Sequence, residues 1–281
     1  MKKTAIVLLV TVALLFVLRQ FVVVPYSVPY EGMEPTLGEG ERVLVNKWGY
    51  GSSSSDKAKT VERGAIMVFH NPAEKPDVAI DDRAVFIARI YGLAGDTLML
   101  NRQLVPVDVP PVDVHLKRVY HYPALCEERM LAIVDSLGIK DSFVGNGQSS
   151  HSRQFNYDEI LKVRAAINRA FTLVCTSPDV PTNCYPYVVP KKGGVVPVTL
   201  WNITLLCNTI NYHEGRKAVI KNGQLFVDGK FTKQYTFTQN YYWVMCDNML
   251  NLNDSRLFGL VPESHLVGKV WMVYWKKIRT I

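Results

Sequence analysis

Ser27-Val28-Pro29-Tyr30-Glu31-Gly32-Met33-Glu34-Pro35-Thr36-Leu37 lies between two stretches of opposite character. Before it, Thr4 to Val24 is a predominantly apolar run, interrupted near its outer end by Arg19 and Gln20. A run of roughly 20 apolar residues crosses the hydrocarbon core of a bilayer as a helix, and Arg19 and Gln20 can snorkel to the headgroups. After it come short alternating segments: Glu41 to Trp48, Gly64 to His70, and Val85 to Tyr91 closed by Gly92-Leu93-Ala94-Gly95-Asp96. Farther on, Asn222-Gly223 and Asp228-Gly229 supply the positive φ that tight hairpins need. Short strands with Gly, Pro and Asn punctuation predict a mainly β chain, antiparallel sheets in a barrel or sandwich, preceded by one N-terminal transmembrane helix.

A chain of 281 residues with 48% apolar content can bury one sizeable core with an elaboration, or two small domains. The formal net charge of +7 suits work against an anionic membrane surface. No dense basic run with interleaved aromatics points to nucleic acid. A cleaved secretory signal shares the basic start and apolar middle of residues 1–24, but no small-x-small site follows, which favours an uncleaved anchor. Lys2 and Lys3 keep residues 1–3 in the cytoplasm, with 4–24 spanning and the main domain outside. The five cysteines suit an oxidising compartment, with Cys175 and Cys184 the best local pair, which the sequence leaves undecided as a disulfide. Cys126, Cys207 and Cys246 read as small buried apolar residues. The six histidines show no metal-ligand spacing, so no metal and no cofactor is expected.

The middle differs in character. Gly145 to Ser152 reads as an exposed polar loop. Asp158 to Ile167 has helical apolar spacing, with acidic residues first and basic ones later, matching the helix dipole. Residues 106–188 are therefore taken as a subdomain inserted between 25–105 and 189–281.

The opening stretch resembles the nucleophile box of the type I signal peptidases, Pro-Ser-x-Ser-Met-x-Pro-Thr-Leu. Pro29, Met33, Pro35, Thr36 and Leu37 keep the frame. Arg63 to Phe69 is similar to the family's Arg-Gly-Asp-Val-Val-Val-Phe strand, with Ala65 in place of the acid. Arg89 to Asp96 resembles Lys-Arg-Val-Ile-Gly-Leu-Pro-Gly-Asp, and Val189 to Gly193 matches a segment of members with this longer layout. Cys246-Asp247-Asn248-Met249 with Asn253-Asp254-Ser255-Arg256 resembles Gly-Asp-Asn-Arg followed by Ser-x-Asp-Ser-Arg. The resemblance implies a serine endopeptidase (family S26) that removes signal peptides from exported preproteins. It also implies a single-pass protein of the bacterial inner membrane with a periplasmic main domain.

That chemistry needs a serine hydroxyl, a lysine held neutral by burial to take its proton, and an oxyanion site partly built from a second serine. By the resemblance these positions fall on Gly32 (nucleophile), Ala88 (base) and Tyr30 (oxyanion), with Leu252 where a serine would orient the lysine. None carries the required group, and Arg89 beside Ala88 stays protonated. Pro35, Arg89, Asp247, Asn248, Asp254 and Arg256 match positions that support the site. The pattern predicts a folded protein without its hydrolytic groups. Relocated catalysis through Ser27, Lys47, His70 or Asp96 is the weaker reading, since these fit turns and surface.

Strand addition by a peptide uses main-chain hydrogen bonds and needs no catalytic group. By resemblance Val28, Pro29 and Met33 would line such a groove, or else simply pack the sheet. Tyr30 either caps the groove or blocks it. The C-terminal Val270 to Lys277 alternates as a strand with interface-type aromatics and lysines. Three readings compete: a non-catalytic homologue binding signal peptides or an active paralogue, an active signal peptidase using an unidentified site, and a structural envelope scaffold.

Overall fold

The computed structural model describes residues 22–50, 61–106, 117–139, 142–175, 184–275 and 278–281. The expected membrane helix over 4–24 lies outside them as far as residue 21. Among the described residues no helix is long and apolar enough to cross a membrane. Val23 and Val24 correct the outer limit of that span, because they pair with Asn46 and Val45 as strand residues.

The principal sheet is antiparallel and built from β1 (Val23–Ser27), β2 (Arg42–Asn46), β3 (Ile66–His70), β4 (Val85–Gly92), β5 (Tyr241–Met245), β6 (Val261–Pro262), β7 (Leu266–Val273) and β8 (Arg279–Thr280). Its order is β1-β2-β7-β3-β4-β5-β6, with β8 on β7, an open path rather than a closed ring. Period-two alternation divides its side chains between two cores. Ile66, Val68 and Ile87 join Val28, Met33, Leu37, Val43, Val45 and Val270 on one face. Met67, Phe69, Ala88 and Ile90 join Tyr242, Val244 and Val261 on the other. Both faces of β3 are thus covered, which explains why Ile66 to Phe69 reads as an unbroken apolar run.

Two further clusters flank the sheet. Residues 118–175 form a four-stranded sheet with two helices, α1 (Glu127–Ser136) and α2 (Tyr157–Ile167), around Tyr120, Tyr122, Met130, Phe155, Ile160 and Val163. Asn156 caps α2: its side chain accepts from Glu159 N at 2.9 Å while Glu159 Oε2 accepts from Asn156 N at 2.9 Å. The stretch expected as a loop over 145–152 is corrected here. Phe143–Asn146 and Ser150–Phe155 are paired strands, because Arg153 at the inner face donates to Glu127 Oε1 at 2.6 Å and to Tyr122 Oη at 2.8 Å. The second cluster surrounds α3 (Ile203–His213), whose Leu206, Cys207 and Ile210 pack against Leu98, Tyr187, Leu225 and Trp243. Its hairpin turns hold Asn222, Gly223, Asp228 and Gly229 at positive φ, as their sequence pairs predict. All five cysteines are free thiols, so Cys175 and Cys184 are unbridged.

The connection from β3 to β4 is clasped by Arg83, whose Nε and Nη2 each donate to Val78 O at 3.0 Å. Arg83 Nη1 lies 2.9 Å from His265 Nε2. A guanidinium has only donors, so that ring nitrogen must accept and His265 must be neutral. Burial, then His213 and Arg83, push the His265 pKa down to about 3. Burial and Arg83 push that of His213 down to about 4. An unfolded histidine titrates near 6.5, so the unfolded chain binds more protons below that pH. Stability is therefore expected to fall as pH drops from about 6.5 toward 4, by up to about 1.4 kcal/mol per pH unit for each histidine. Urea midpoints of the full chain at pH 7 and pH 5 measure this, with His265→Gln expected to flatten the slope. Equal midpoints at the two pH values would contradict it.

Candidate functional site

The turn Glu31–Met33 is a single 3-10 turn lying against β4. Gly32 and Met33 are buried in it, and Gly32 O accepts from Asn248 N at 3.0 Å. The Tyr30 ring lies over Gly32, so that a Cβ built on Gly32 would stand 2.8 Å from Tyr30 Cε2, 2.9 Å from Tyr30 Cδ2 and 3.1 Å from Asn251 Cγ. The Tyr30 hydroxyl accepts from Ile87 N at 3.0 Å, one residue from Ala88. Ala88 is fully buried in the apolar cluster with Met67, Ile90 and Val244. Leu252 follows Asn251 and is half exposed. Tyr30 thus links Gly32 to the strand that carries Ala88, and its aromatic ring fills the volume beside Gly32.

The supporting residues are densely bonded. Asp247 accepts from Arg89 Nε at 2.8 Å and Nη2 at 2.6 Å, and from Thr36 Oγ1 at 2.6 Å. Arg89 Nη1 adds a bond to Gly64 O at 2.8 Å. Asp254 accepts from Cys246 N at 2.8 Å and caps α4 (Ser255–Phe258) through Arg256 N at 2.9 Å. Its carboxylate is paired with the Arg256 guanidinium at 2.6 Å, both side chains buried. Arg256 Nη1 also donates to Met249 O at 2.7 Å, and Nη2 to Asn251 O, which fixes the 249–251 loop beside Gly32. Pro35 is exposed in the turn that carries Thr36. From the far end of the chain Arg279 holds the same turn, donating to Glu41 Oε2 at 2.6 Å and to Thr36 O at 2.7 Å.

Of the residues expected along a groove, Val28 and Met33 are 2% and 0% exposed and belong to the sheet core, the plainer of the two expectations. Pro29 alone of the three is at the surface.

Several other groups that could attack a carbonyl are bound or shielded. Thr36 Oγ1 lies between Arg89 and Asp247, and Ser255 Oγ accepts from Val244 N at 2.9 Å. The Cys246 thiol, fully buried, has its pKa raised by burial and by Asp254, so it stays protonated and unreactive. Asp96 closes its own turn through Leu93 N and pairs with Arg63 at 2.7 Å, while His70 Nδ1 lies 3.4 Å from Arg83 O. Sequence reasoning missed Lys117, which is buried and donates its main-chain N–H to Asp247 O at 2.9 Å. Among the described residues its amine bonds to no hydroxyl. No spacing signal marks it, because a bridge formed across the fold places it beside Asn248. Asn251, the wall of the Gly32 site, was equally unmarked.

The profile of one family, described as signal peptidase, peptidase S26, matches residues 1–183 and 209–275 of this chain. The chain is similar to the signal peptidase I of Buchnera aphidicola subsp. Schizaphis graminum, 24% identical over 283 residues that cover 95% of this chain and 73% of that one. It is 26% identical to the signal peptidase I of Aquifex aeolicus over 267 residues, 95% of this chain and 81% of that one. Similarity to the signal peptidase IB of Staphylococcus aureus is 32% identity over 126 residues, 42% of this chain and 58% of that one.

Proposed function

The chain belongs to the signal peptidase family, peptidase S26, and from that premise we propose a non-catalytic member that docks extended peptides without cutting them. One observation carries the reading: the Tyr30 ring stands where a side chain on Gly32 would be, beside an Ala88 enclosed by apolar neighbours. Nucleophile and base act as a unit, and losing both leaves only weak catalysis from binding and backbone dipoles. The intact Arg89–Asp247 and Asp254–Arg256 pairs support a fold maintained for another purpose.

The peptides are signal peptides of exported preproteins, or the bound protein is an active paralogue. In this reading a segment within residues 4–22, ending before β1, anchors the chain in the bacterial inner membrane, residues 1–3 lie in the cytoplasm, and the main domain is periplasmic. Residues 106–188 are inserted into the β domain of 25–105 and 189–281. The exposed Trp48, just after β2, and the exposed Trp271 and Trp275, on and just after β7, which pairs with β2, support a surface turned to the bilayer, with Arg42 over the Trp275 ring at 5.1 Å. A scaffold whose groove is permanently shut is the competing reading, favoured by the contact of Tyr30 with Ile87.

The test is to incubate the full chain in detergent micelles with a preprotein, following products by mass spectrometry, and to challenge it separately with a fluorophosphonate. The expected result is no cleavage and no adduct. Product above a protein-free control, or a covalent ester on any hydroxyl, would overturn the reading.

A further inference from the structure

β4 has two hydrogen-bonding edges. Ile90 exchanges bonds on the β3 side, donating to Ala65 O at 2.9 Å and accepting from Gly64 N at 2.8 Å. Strand alternation then turns the N–H and C=O of Arg89 and Ile87 to the opposite edge. There Arg89 lies opposite Met245, the last residue of β5. Ile87, two residues beyond, has no strand beside it on that edge among the described residues. Tyr30 takes the place: its hydroxyl accepts from Ile87 N at 3.0 Å and faces Ile87 O at 3.5 Å as donor. One phenol does for Ile87 what a residue of a neighbouring strand would do. Burial raises the Tyr30 pKa, so the hydroxyl keeps the proton it donates.

We propose that Tyr30 is a built-in competitor for this edge, and that the edge takes one extended polypeptide strand when the phenol leaves it. The inference rests on the peptide-docking reading above and adds how that docking is controlled. Strand addition needs an unpaired N–H and C=O on the receiving edge, and Ile87 is where they are withheld. The shelf beside it is aromatic: Tyr30 and Phe86 have centroids 6.0 Å apart, and Phe86 stacks on Phe258 at 5.9 Å. Leu257, next to Phe258 in the chain, is exposed. An extended segment with small and apolar side chains fits that shelf, its main chain replacing the phenol. The affinity of the resting protein is lowered by the fraction of molecules in which the edge is occupied.

The experiment uses the full chain in micelles and a fluorescein-labelled synthetic peptide ending in Ala-Leu-Ala, read by fluorescence polarisation. Tyr30→Phe keeps the ring against Phe86 and removes only the oxygen; Tyr30→Ala removes the ring as well. Hydrogen exchange at the Ile87 amide reports the edge directly. Tyr30→Phe is expected to bind roughly ten-fold more tightly than wild type, the worth of two withheld hydrogen bonds of modest strength. Bound peptide is expected to slow Ile87 exchange. Equal affinities with Ile87 protected in both would overturn the competitor and leave peptide docking standing. Failure of all three proteins to bind, with Ile87 exchange unchanged by added peptide, would overturn both and favour the closed scaffold.

Discussion

Replacing Arg89 by leucine is expected to cost about 3–5 kcal/mol of stability, the usual penalty for stripping one partner from a buried ion pair. Asp247 is 1% exposed, and without Arg89 its carboxylate would keep Thr36 as its only side-chain donor among the described residues. The penalty is that of a buried charge left uncompensated rather than the worth of the pair. The double variant Arg89→Leu/Asp247→Leu should therefore be more stable than Arg89→Leu alone. Urea unfolding of the full chain measures both. A single variant with an unchanged midpoint would show that solvent reaches Asp247 and that the network is not a buried one.

Gly32→Ser, which would place a hydroxyl at this position, is expected to destabilise by about 1–3 kcal/mol because its Cβ enters the van der Waals envelope of the Tyr30 ring. In a Tyr30→Ser background the ring is gone and the same change should cost less, the tight contact with Asn251 Cγ at 3.1 Å remaining. The two positions are thus predicted to couple by about 1 kcal/mol or more in a double-mutant cycle. Positions 30 and 32 then amount to one departure from the family pattern. Additive effects would mean that the ring moves aside freely, which would weaken the competitor argument as well.

Where strand and turn chemistry is local, the fold was legible. Expected segments at 41–48 and 64–70 contain β2 and β3, and 85–91 covers all but the last residue of β4, because each alternates around apolar positions and ends at Gly, Asn or Asp. The helix expected over 158–167 starts one residue earlier, at the residue after its Asn156 cap. The strands around Gly145 to Ser152 were not legible, since their polar side chains find partners only across the fold, as Arg153 does at Glu127. Helix α3 escaped notice for a related reason: Ile203, Thr204, Thr209 and Ile210 favour strands locally, and packing against Trp243 and Tyr187 overrides that preference. At the site, that Gly32 and Ala88 carry neither hydroxyl nor amine is plain from residue identity. What packs beside them is not, because the angle of the Tyr30 ring and the bond to Ile87, 57 residues away, are set by the tertiary structure.

The order β1-β2-β7-β3 puts Leu266–Val273, made long after both, between the early strands β2 and β3. β2 and β3 each pair with β7 and not with each other, so the β1-β2 hairpin and β3 cannot join into one sheet as they emerge. Non-local pairing of this kind makes folding slow and postpones closure of this sheet until β7 has emerged. A ribosome-stalled or truncated chain ending before residue 266 should accordingly expose two unpaired edges and be a target for chaperones and proteases.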